Sequence, residues 1–309
     1  MITTVTLNAA IDKTYFVPDF RLNKVNRTTM VHSEPGGKGV NVAKVLNLLD
    51  IPVITTGFAG GYNGMKIRDE LKKIGIHPEF INIKEESRLC INIIDEVIQT
   101  QTEILESGPT ITETEWVDLC EKIDCLSKKS SLVIMSGSLP KGLHDDSYKE
   151  LISIVKRNHA KAVIDTSGIA LEEALKSAPY MVKPNKQELA QLLKKEHITT
   201  NDILDALSLF QKQGIDLTVV SLGEEGALVG YKGEAFKVTP PQIELVNPVG
   251  CGDALVAGIT AGLHLELDIR ESLILGVSAA TANALEVKAG NISVNLLNEL
   301  KTRVKLEII

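Results

Sequence analysis

Short runs rich in β-branched residues alternate with amphipathic segments along most of the 309-residue chain. The runs are typical of buried strands, and the segments between them carry the apolar spacing of helices. The predicted core strands are Ile2–Leu7, Val53–Gly57, Leu132–Ser136, Ala162–Asp165, Tyr180–Lys183 and Leu217–Ser221. The predicted helices are Gly39–Leu49, Gly64–Ile74, Glu113–Lys128, Asp146–Asn158, Lys186–Lys194, Asp202–Gln213, Gly252–Leu265 and Glu271–Glu286. This alternation predicts an α/β fold with a parallel sheet covered on both faces.

Two segments interrupt the alternation. Asp12–Glu34 has extended runs but no helical pattern, and apolar and other residues alternate along Arg88–Leu105. Both segments are expected to form strands outside the main sheet. A small separate sheet built from two insertions would form a lid, with one face over the site and the other against a second subunit.

Length, charge and cysteine usage exclude several classes of protein. A chain of this length can hold one large α/β domain with a small appendage, or two domains. Its net charge of −7, with no long basic run, argues against nucleic acid or anionic lipid as main partners. The four cysteines form no Cys-x-x-Cys pair, and no zinc spacing, signal peptide or run of about 20 apolar residues is present. Reduced cysteines and a cytoplasmic location are therefore expected, and local Lys and Arg side chains would have to hold any anionic substrate.

The most informative motif is Asn-Pro-Val-Gly-Cys-Gly-Asp at 247–253, which leads directly into an apolar helical stretch. Gly250 and Gly252 let the backbone bend so that several N–H groups point the same way, and the helix dipole adds positive character. Together with Cys251 they would form a pocket for developing negative charge. The carboxylate of Asp253 at its rim could take a proton from a hydroxyl, as phosphoryl transfer requires. The alternative is a glycine turn with an Asp cap.

A second glycine motif, Gly-Gly-Lys-Gly-Val-Asn at 36–41, opens a helix. Gly37 would allow close approach of a ligand, Lys38 offers a point charge, and Asn41 offers a donor and an acceptor. A P-loop requires Ser or Thr after its Gly-Lys pair, and a dinucleotide fingerprint requires Gly or Ala where Val42 stands, so both are rejected. A glycine turn that binds no ligand remains the alternative.

Polar residues near the ends of other strands are further candidates. Asp12 follows the first strand and could accept hydrogen bonds from two sugar hydroxyls, although a turn Asp is the simpler interpretation. Arg88 begins the second insertion and could grip a phosphate, and Arg27 in the first insertion could do the same. A solvated surface residue is an equal alternative for Arg88 and the favoured interpretation for Arg27. Ser138 belongs to a Ser-Gly-Ser run that follows a strand, and it could offer a hydroxyl to the ligand. Most Ser-Gly-Ser runs, however, are only turns.

The segment Lys183–Glu188 ends a strand and begins a helix. Asn185 and Glu188 lie three residues apart at the helix start and would suit a hydrated magnesium ion. The alternative is a capping box made by the same two residues. A further turn at Ser221–Gly226 follows a strand and could carry a nucleotide.

These motifs, in this order, resemble those of the ribokinase-like sugar kinases, in the branch of phosphofructokinase-B type. The resemblance covers essentially the whole chain. It implies a doubly wound α/β/α core with a small β-sheet lid, and dimers formed through that lid. The core would comprise residues 1–9, 37–87 and 107–309, and the lid residues 10–36 and 88–106.

The resemblance also assigns roles. Asp253 would be the base, and the anion hole would be formed by Gly250, Cys251 and Gly252. The sugar phosphate would be held by Asp12, Arg27, Gly37, Lys38, Asn41, Arg88 and Ser138. The ATP site would be lined by Lys183, Asn185, Ser221, Gly223, Gly226 and Asn283. Mg²⁺ would be organised by Asp165, Asn185 and Glu188.

Residues 102–109 and 294–296 most resemble the members of this family that act on tagatose 6-phosphate. The expected activity is therefore ATP-dependent phosphorylation of a ketohexose monophosphate to the bisphosphate. Phosphorylation of fructose 1-phosphate is the alternative, because few residues separate the two groups. A nucleoside acceptor is less expected, since Lys38 and Arg88 suggest a charged one. A sensor that has lost activity is a distant alternative, because a pure binder needs no base at Asp253.

Overall fold

The computed structural model describes residues 1–309 as one α/β fold. Its strands are β1 (Ile2–Thr6), β2 (Ala10–Phe16), β3 (Met30–Gly36), β4 (Val53–Gly60), β5 (His77–Pro78), β6 (Ile81–Ile83), β7 (Arg88–Asp95), β8 (Thr100–Leu105), β9 (Leu132–Ser136), β10 (Lys161–Asp165), β11 (Met181–Val182), β12 (Leu217–Ser221), β13 (Ala227–Tyr231), β14 (Glu234–Thr239) and β15 (Lys305–Ile308). Its α-helices are α1 (Lys38–Leu48), α2 (Gly61–Lys73), α3 (Glu113–Ser127), α4 (Ser147–Arg157), α5 (Gly168–Leu175), α6 (Lys186–Leu192), α7 (Thr200–Lys212), α8 (Cys251–His264), α9 (Ile269–Ala284) and α10 (Val294–Lys301).

The main sheet has eleven strands in the order β15-β14-β13-β12-β11-β10-β9-β1-β4-β5, and β6 pairs with β4 beyond β5. All pairs from β5 to β12 are parallel, and the β12-β13-β14-β15 edge is antiparallel. β1 lies at the centre of the parallel part and is buried along its whole length, because helices cover both of its faces. The predicted parallel core is therefore present, with an antiparallel edge that the patterns missed.

Helices cover the main sheet on both faces. One apolar core lies between the sheet and α1, α2, α8, α9 and α10, and the other lies between the sheet and α3, α4, α6 and α7. This is the doubly wound arrangement expected from the family resemblance. None of the helices combines the length and apolar composition that crossing a membrane requires.

A separate four-stranded sheet has the order β3-β2-β7-β8. Its strands come from residues 10–36 and 88–105, so they match the two segments that interrupt the alternation, with two further residues at each end of the first. β2 pairs antiparallel with β3 and parallel with β7, and β7 pairs antiparallel with β8. In every register the residues with even numbers in β2 oppose those with even numbers in β3 and β7, so they share one face of the sheet.

The antiparallel edge escaped prediction for a local reason. β13 and β14 are joined by Lys232 and Gly233, which both have positive φ (48° and 88°). A two-residue hairpin of this kind is usually signalled by Asn-Gly or Asp-Gly, and Lys-Gly is a weaker signal. The short helices α5 and α10 were likewise missed, because eight residues give too few turns for a clear apolar period.

Candidate active site

A cleft of about 510 Å³ lies between the carboxyl ends of the parallel strands and the inner face of the small sheet. Ser221 at the end of β12 and Lys183 just beyond β11 line one side, and Asp12 and Arg88 from the small sheet line the other. The floor is formed by the start of α1 and the start of α8. Ligands commonly bind at this edge of a doubly wound sheet, because the loops there are free to carry polar groups.

Asp253 lies in the first turn of α8, and its side chain is buried with 6% exposed. Asn41 of α1 donates a hydrogen bond from Nδ2 to its Oδ2 at 2.9 Å. Burial raises the pKa of Asp253 to about 6, against the opposing effect of Lys38. The carboxylate is therefore ionised at neutral pH, yet its proton affinity is higher than that of an exposed Asp, which suits a general base.

The backbone before Asp253 forms a turn that could hold an anion. Gly250 precedes α8 in a left-handed conformation (φ 85°), and a side chain there would also come within 3.1 Å of Ala289. The N–H groups of Gly252 and Asp253 make no hydrogen bond within the protein, as expected in the first turn of a helix. These amides and the helix dipole therefore face the cleft with partial positive charge.

Two lysines share one buried carboxylate beside this turn. Asp165 at the end of β10 is fully buried, and its Oδ1 lies 3.2 Å from Lys38 Nζ and 3.3 Å from Lys183 Nζ. Burial alone would raise the pKa of Asp165, but Lys183 and Lys38 hold it below its usual value. Asp165 in turn raises the pKa of Lys38. Two positive charges are thus held together on one carboxylate, and both lysines line the cleft.

Helix α1 reaches three acidic groups with side chains spaced three residues apart. Lys38 pairs with Asp165, Asn41 donates to Asp253, and Lys44 Nζ lies 3.2 Å from Glu34 Oε2 on β3. Residues at this spacing lie near one another on a helix surface, so one face of α1 connects the main sheet, α8 and the small sheet.

The small sheet presents two rows of side chains to the cleft. In the row nearer the main sheet, the register aligns Glu34, Asp12, Cys90 and Leu105. In the next row it aligns His32, Thr14, Asn92 and Glu103. All eight side chains line the cleft. Burial raises the pKa of Asp12 to about 6, and the Oδ1 atom of Asn92 is buried without a partner.

Arg88 lies at the start of β7 and lines the cleft. Its Nε donates to the carbonyl of Asn8 at 3.1 Å and its Nη1 to that of Glu106 at 3.2 Å. These two contacts fix the guanidinium plane and leave Nη2 available to an anion in the cleft.

Most of the residues proposed from the sequence line this one cleft. They are Asp12, Gly37, Lys38, Asn41, Arg88, Lys183, Asn185, Ser221, Gly223, Gly250, Gly252 and Asp253. Residues 241 positions apart in the sequence thus meet in one place.

Several proposed residues do not line the cleft. Arg27 is exposed in the connection between β2 and β3, and Ser138 is exposed where it accepts a hydrogen bond from Asn8 Nδ2 at 3.4 Å. Gly226 packs against β14, where a Cβ would lie 2.0 Å from the Val238 carbonyl, so packing explains this glycine.

Two further proposed residues act behind the turn that precedes α8. Asn283 on α9 is fully buried, donates to the Val249 carbonyl at 2.9 Å and accepts from the Gly290 amide at 2.9 Å. The sulfur of Cys251 lies 3.6 Å from Asn283 Nδ2, so this side chain faces α9 and only its backbone belongs to the turn. Asn283 therefore supports the turn rather than lining the nucleotide side of the cleft.

The predicted magnesium ligands do not form a ready chelate. Asp165 is bound to two lysines, and Asn185 and Glu188 form a capping box in which each side chain accepts from the other's amide at 2.8 Å. No group of three His, Cys, Asp or Glu side chains converges as a metal site. Oε1 of Glu188 makes no hydrogen bond, so the donor set fits a hydrated ion held through water.

The sequence patterns missed the second row of the small sheet and the loop residues Val287, Lys288 and Ala289, all of which line the cleft. They also missed Lys44, which lies behind the cleft and pairs with Glu34. Of the second row only Thr14 could have been found, as the second residue after Asp12 along β2, because the other members depend on the pairing register. Lys44 follows Asn41 by three residues, but a lysine at that spacing is usually solvated. The loop after α9 carries no residue pattern that distinguishes it from other loops.

A buried carboxylate in the first turn of a helix, free amides before it and two lysines held on one buried Asp are the groups that phosphoryl transfer to a hydroxyl requires. The model of the pfkB family of carbohydrate kinases matches residues 5–295. The chain therefore belongs to the pfkB family and is an ATP-dependent sugar kinase.

Individual relatives agree with this assignment. Tagatose-6-phosphate kinase of Staphylococcus epidermidis is 39% identical over 99% of both chains. The structure of Escherichia coli phosphofructokinase-2 in complex with potassium is 27% identical, with a TM-score of 0.93 and 98% of both chains covered. A Thermotoga maritima structure described as a "possible 1-phosphofructokinase" is 26% identical, with a TM-score of 0.89, over 100% of this chain and 99% of that one. These relatives support a ketohexose phosphate as the acceptor.

Proposed function

We propose that the protein transfers the γ-phosphoryl group of ATP to tagatose 6-phosphate, giving tagatose 1,6-bisphosphate. The observation that carries this proposal is the position of Asp253, which is buried in the first turn of α8 and held by Asn41 at 2.9 Å. The choice of sugar is supported by the 39% identity to a tagatose-6-phosphate kinase over nearly the full length of both chains.

In this proposal Asp253 accepts the proton of the attacking sugar hydroxyl, and Asn41 keeps its carboxylate in place. The free amides of the α8 turn stabilise negative charge that develops on the transferred group. Lys38 and Lys183, both held by Asp165, supply positive charge beside the transferred group. Asp12 accepts hydrogen bonds from sugar hydroxyls, and Arg88 with Lys38 binds the phosphate that the sugar already carries.

The nucleotide is assigned to the side of the cleft lined by Lys183, Asn185, Ser221 and Gly223. A Cβ at Gly223 would meet nothing within 4 Å, and the residue has a φ of 64°, so the glycine serves the backbone conformation of an open turn. Magnesium, held through water by Glu188 when ATP is bound, would neutralise phosphate charge. Asp165 is proposed as the anchor of the two lysines and not as a magnesium ligand.

Fructose 1-phosphate is the second candidate substrate, and likeness to the Thermotoga maritima structure favours it. Release of ADP should be measured with tagatose 6-phosphate, fructose 1-phosphate and fructose 6-phosphate, and values of kcat/KM compared. The highest value is expected for tagatose 6-phosphate. A higher value for fructose 1-phosphate would favour the second candidate, and no turnover with any acceptor would favour a sensor.

The outer face of the small sheet supports a homodimer formed through it. The register places Val31, Tyr15 and Ile93 side by side on that face, with Ile91 and Ile104 in the adjoining row. Val31 is 44% exposed and Ile104 is 53% exposed, and an apolar sheet face of this kind is usually covered. Sedimentation should give a dimer, and Ile104→Glu should give monomers. A wild-type monomer at micromolar concentration would contradict the proposal.

A further inference from the structure

Lys44 lies behind the sugar side of the cleft and does not line it. It is 7% exposed on α1, and its ammonium group lies 3.2 Å from Glu34 Oε2. A lysine buried to this extent is uncommon unless a charge partner stabilises it. Glu34 lines the cleft, so Lys44 can influence the site only through the side chains in front of it.

Two of those side chains are carboxylates placed side by side. Asp12 on β2 and Glu34 on β3 are direct partners in the antiparallel register, and both line the cleft. The Asp12 carboxylate also lies against Gly36, where a Cβ would be 2.0 Å from its Oδ2. Like charges directly opposite each other destabilise a sheet, so this pair requires compensation.

We propose that Lys44 is a positioning residue for the acceptor sugar. Its charge offsets the Asp12–Glu34 pair and keeps Asp12 ionised and oriented to accept hydrogen bonds from sugar hydroxyls. This inference rests on the proposed function, in which Asp12 binds the sugar.

The charges around Asp12 make this compensation effective near neutral pH. Burial raises the pKa of Asp12 to about 6, the charge on Lys44 lowers it, and the charge on Glu34 raises it. Arg88 and a hydrogen bond from Cys90, both on β7, lower it further. An opposite charge within about 4–6 Å shifts a carboxyl pKa by about 1–3 units, so loss of Lys44 would bring Asp12 into its titration range at pH 7.

The ion pair between Lys44 and Glu34 could instead only stabilise the packing of α1 against the small sheet. That role would lower the melting temperature and change kcat, with no particular dependence on pH. If Lys44 acts through Asp12, its loss changes KM for the sugar phosphate. The acid limb of kcat/KM then moves in opposite directions when Lys44 and when Glu34 is removed. The two roles therefore predict different kinetics.

The test compares Lys44→Met and Glu34→Gln with the wild type, using whichever ketohexose phosphate the wild type turns over. For Lys44→Met, KM for the sugar phosphate should rise about tenfold at pH 7, and the acid limb of kcat/KM should move up by about one pH unit. For Glu34→Gln the acid limb should move down by a fraction of a pH unit, because the neighbouring negative charge is gone while Asp253, whose pKa is also about 6, still titrates. The titration of the substrate phosphate is the same in all variants and cancels in these differences.

Two further variants separate charge from structure. Lys44→Arg should restore most of the sugar affinity, and the double variant E34Q/K44M should recover KM to within a few-fold of the wild type. Lys122→Met, which removes the 2.9 Å ion pair to Glu79 away from the cleft, should leave the acid limb unchanged. KM for ATP should change little in any of them.

An unchanged acid limb in Glu34→Gln, or an upward one, would overturn the role of Lys44, and this variant is informative even if Lys44→Met fails to fold. An unchanged KM in a folded Lys44→Met variant would also overturn it. A wild type that turns over no sugar phosphate would instead contradict the proposed function, so the two failures are distinguishable.

Discussion

The two sides of the cleft are built differently. On the core side, Asp253 and Asp165 are buried, and each is held by partners from another element. On the side of the small sheet, most residues of β2 and β7 are half-buried, and all six residues of β8 are exposed. The carboxylates on the core side are therefore held by buried partners, whereas the side chains of the small sheet are more exposed and less constrained.

This difference has an energetic basis. Interactions between charges are stronger in the core, because little water screens them. Removing one partner there leaves an uncompensated buried charge. The small sheet has one face toward the cleft and an apolar face that the chain itself leaves partly exposed. Changes in the core should therefore affect all substrates, and changes in the sheet should affect the sugar alone.

The largest effect is expected for Asp253→Asn. Loss of a general base should lower kcat by about 10²–10⁴, while the affinity for ATP changes little. The measurement is kcat from ADP release, with nucleotide affinity from equilibrium binding. A variant that retains most of its turnover would remove Asp253 from the role of base.

The same variant should be more stable than the wild type at neutral pH. The pKa of Asp253 is raised from 3.8 to about 6 in the fold, so the ionised carboxylate opposes folding above pH 6. Removing it should add on the order of 2 kcal/mol to the free energy of unfolding at pH 7.5. The gain should shrink as the pH falls below about 6, because the wild-type group then becomes protonated. Urea unfolding at pH 7.5 and pH 5 measures both values.

Asp165→Asn should produce the next largest effect and should affect both substrates. Two lysines would lose their shared anion, and breaking a buried charge pair costs about 3–5 kcal/mol. We expect kcat/KM to fall about 10²-fold for the sugar phosphate and for ATP, with a lower melting temperature. Asp124→Asn is the matched control, since Asp124 pairs with Lys128 and Arg157 on the surface, where such pairs contribute about 1 kcal/mol or less. An effect confined to one substrate would show that Asp165 does not serve both the sugar phosphate and ATP.

The two sides of the cleft also differ in how much of each could be predicted from the sequence. The core motifs could be found because each needs a particular local backbone, such as the left-handed Gly250 before α8. The first row of the small sheet was found only at Asp12, because its other members depend on strand register, which no local pattern specifies. The Asp165 bridge was missed for a related reason. It joins α1, β10 and the end of β11, and only the tertiary structure brings Lys38 and Lys183 within reach of one carboxylate.

Arg88→Ala should affect the sugar side alone. A charge-assisted hydrogen bond contributes about 1.5–3 kcal/mol, so KM for the sugar phosphate should rise about 10- to 100-fold. KM for ATP should stay within about twofold of the wild type. Arg157→Ala is the control, because Arg157 forms only a surface pair with Asp124. Equal losses for both substrates would place Arg88 outside the phosphate site and would weaken the contrast between the two sides.

The smallest effect is expected for Glu188→Gln, at the nucleotide edge of the core. Gln can replace Glu in a capping box, so the two hydrogen bonds with Asn185 should persist and stability should change little. The lost charge is the one that a hydrated magnesium ion would meet, so the Mg²⁺ concentration for half-maximal activity should rise by up to about tenfold. Glu115→Gln makes the same change in the capping box at Thr112, far from the cleft, and should leave the Mg²⁺ dependence unchanged. If both variants respond alike, the capping box alone explains Glu188. The core side would then hold the nucleotide through its lysines and amides, without a protein carboxylate directed at the ion.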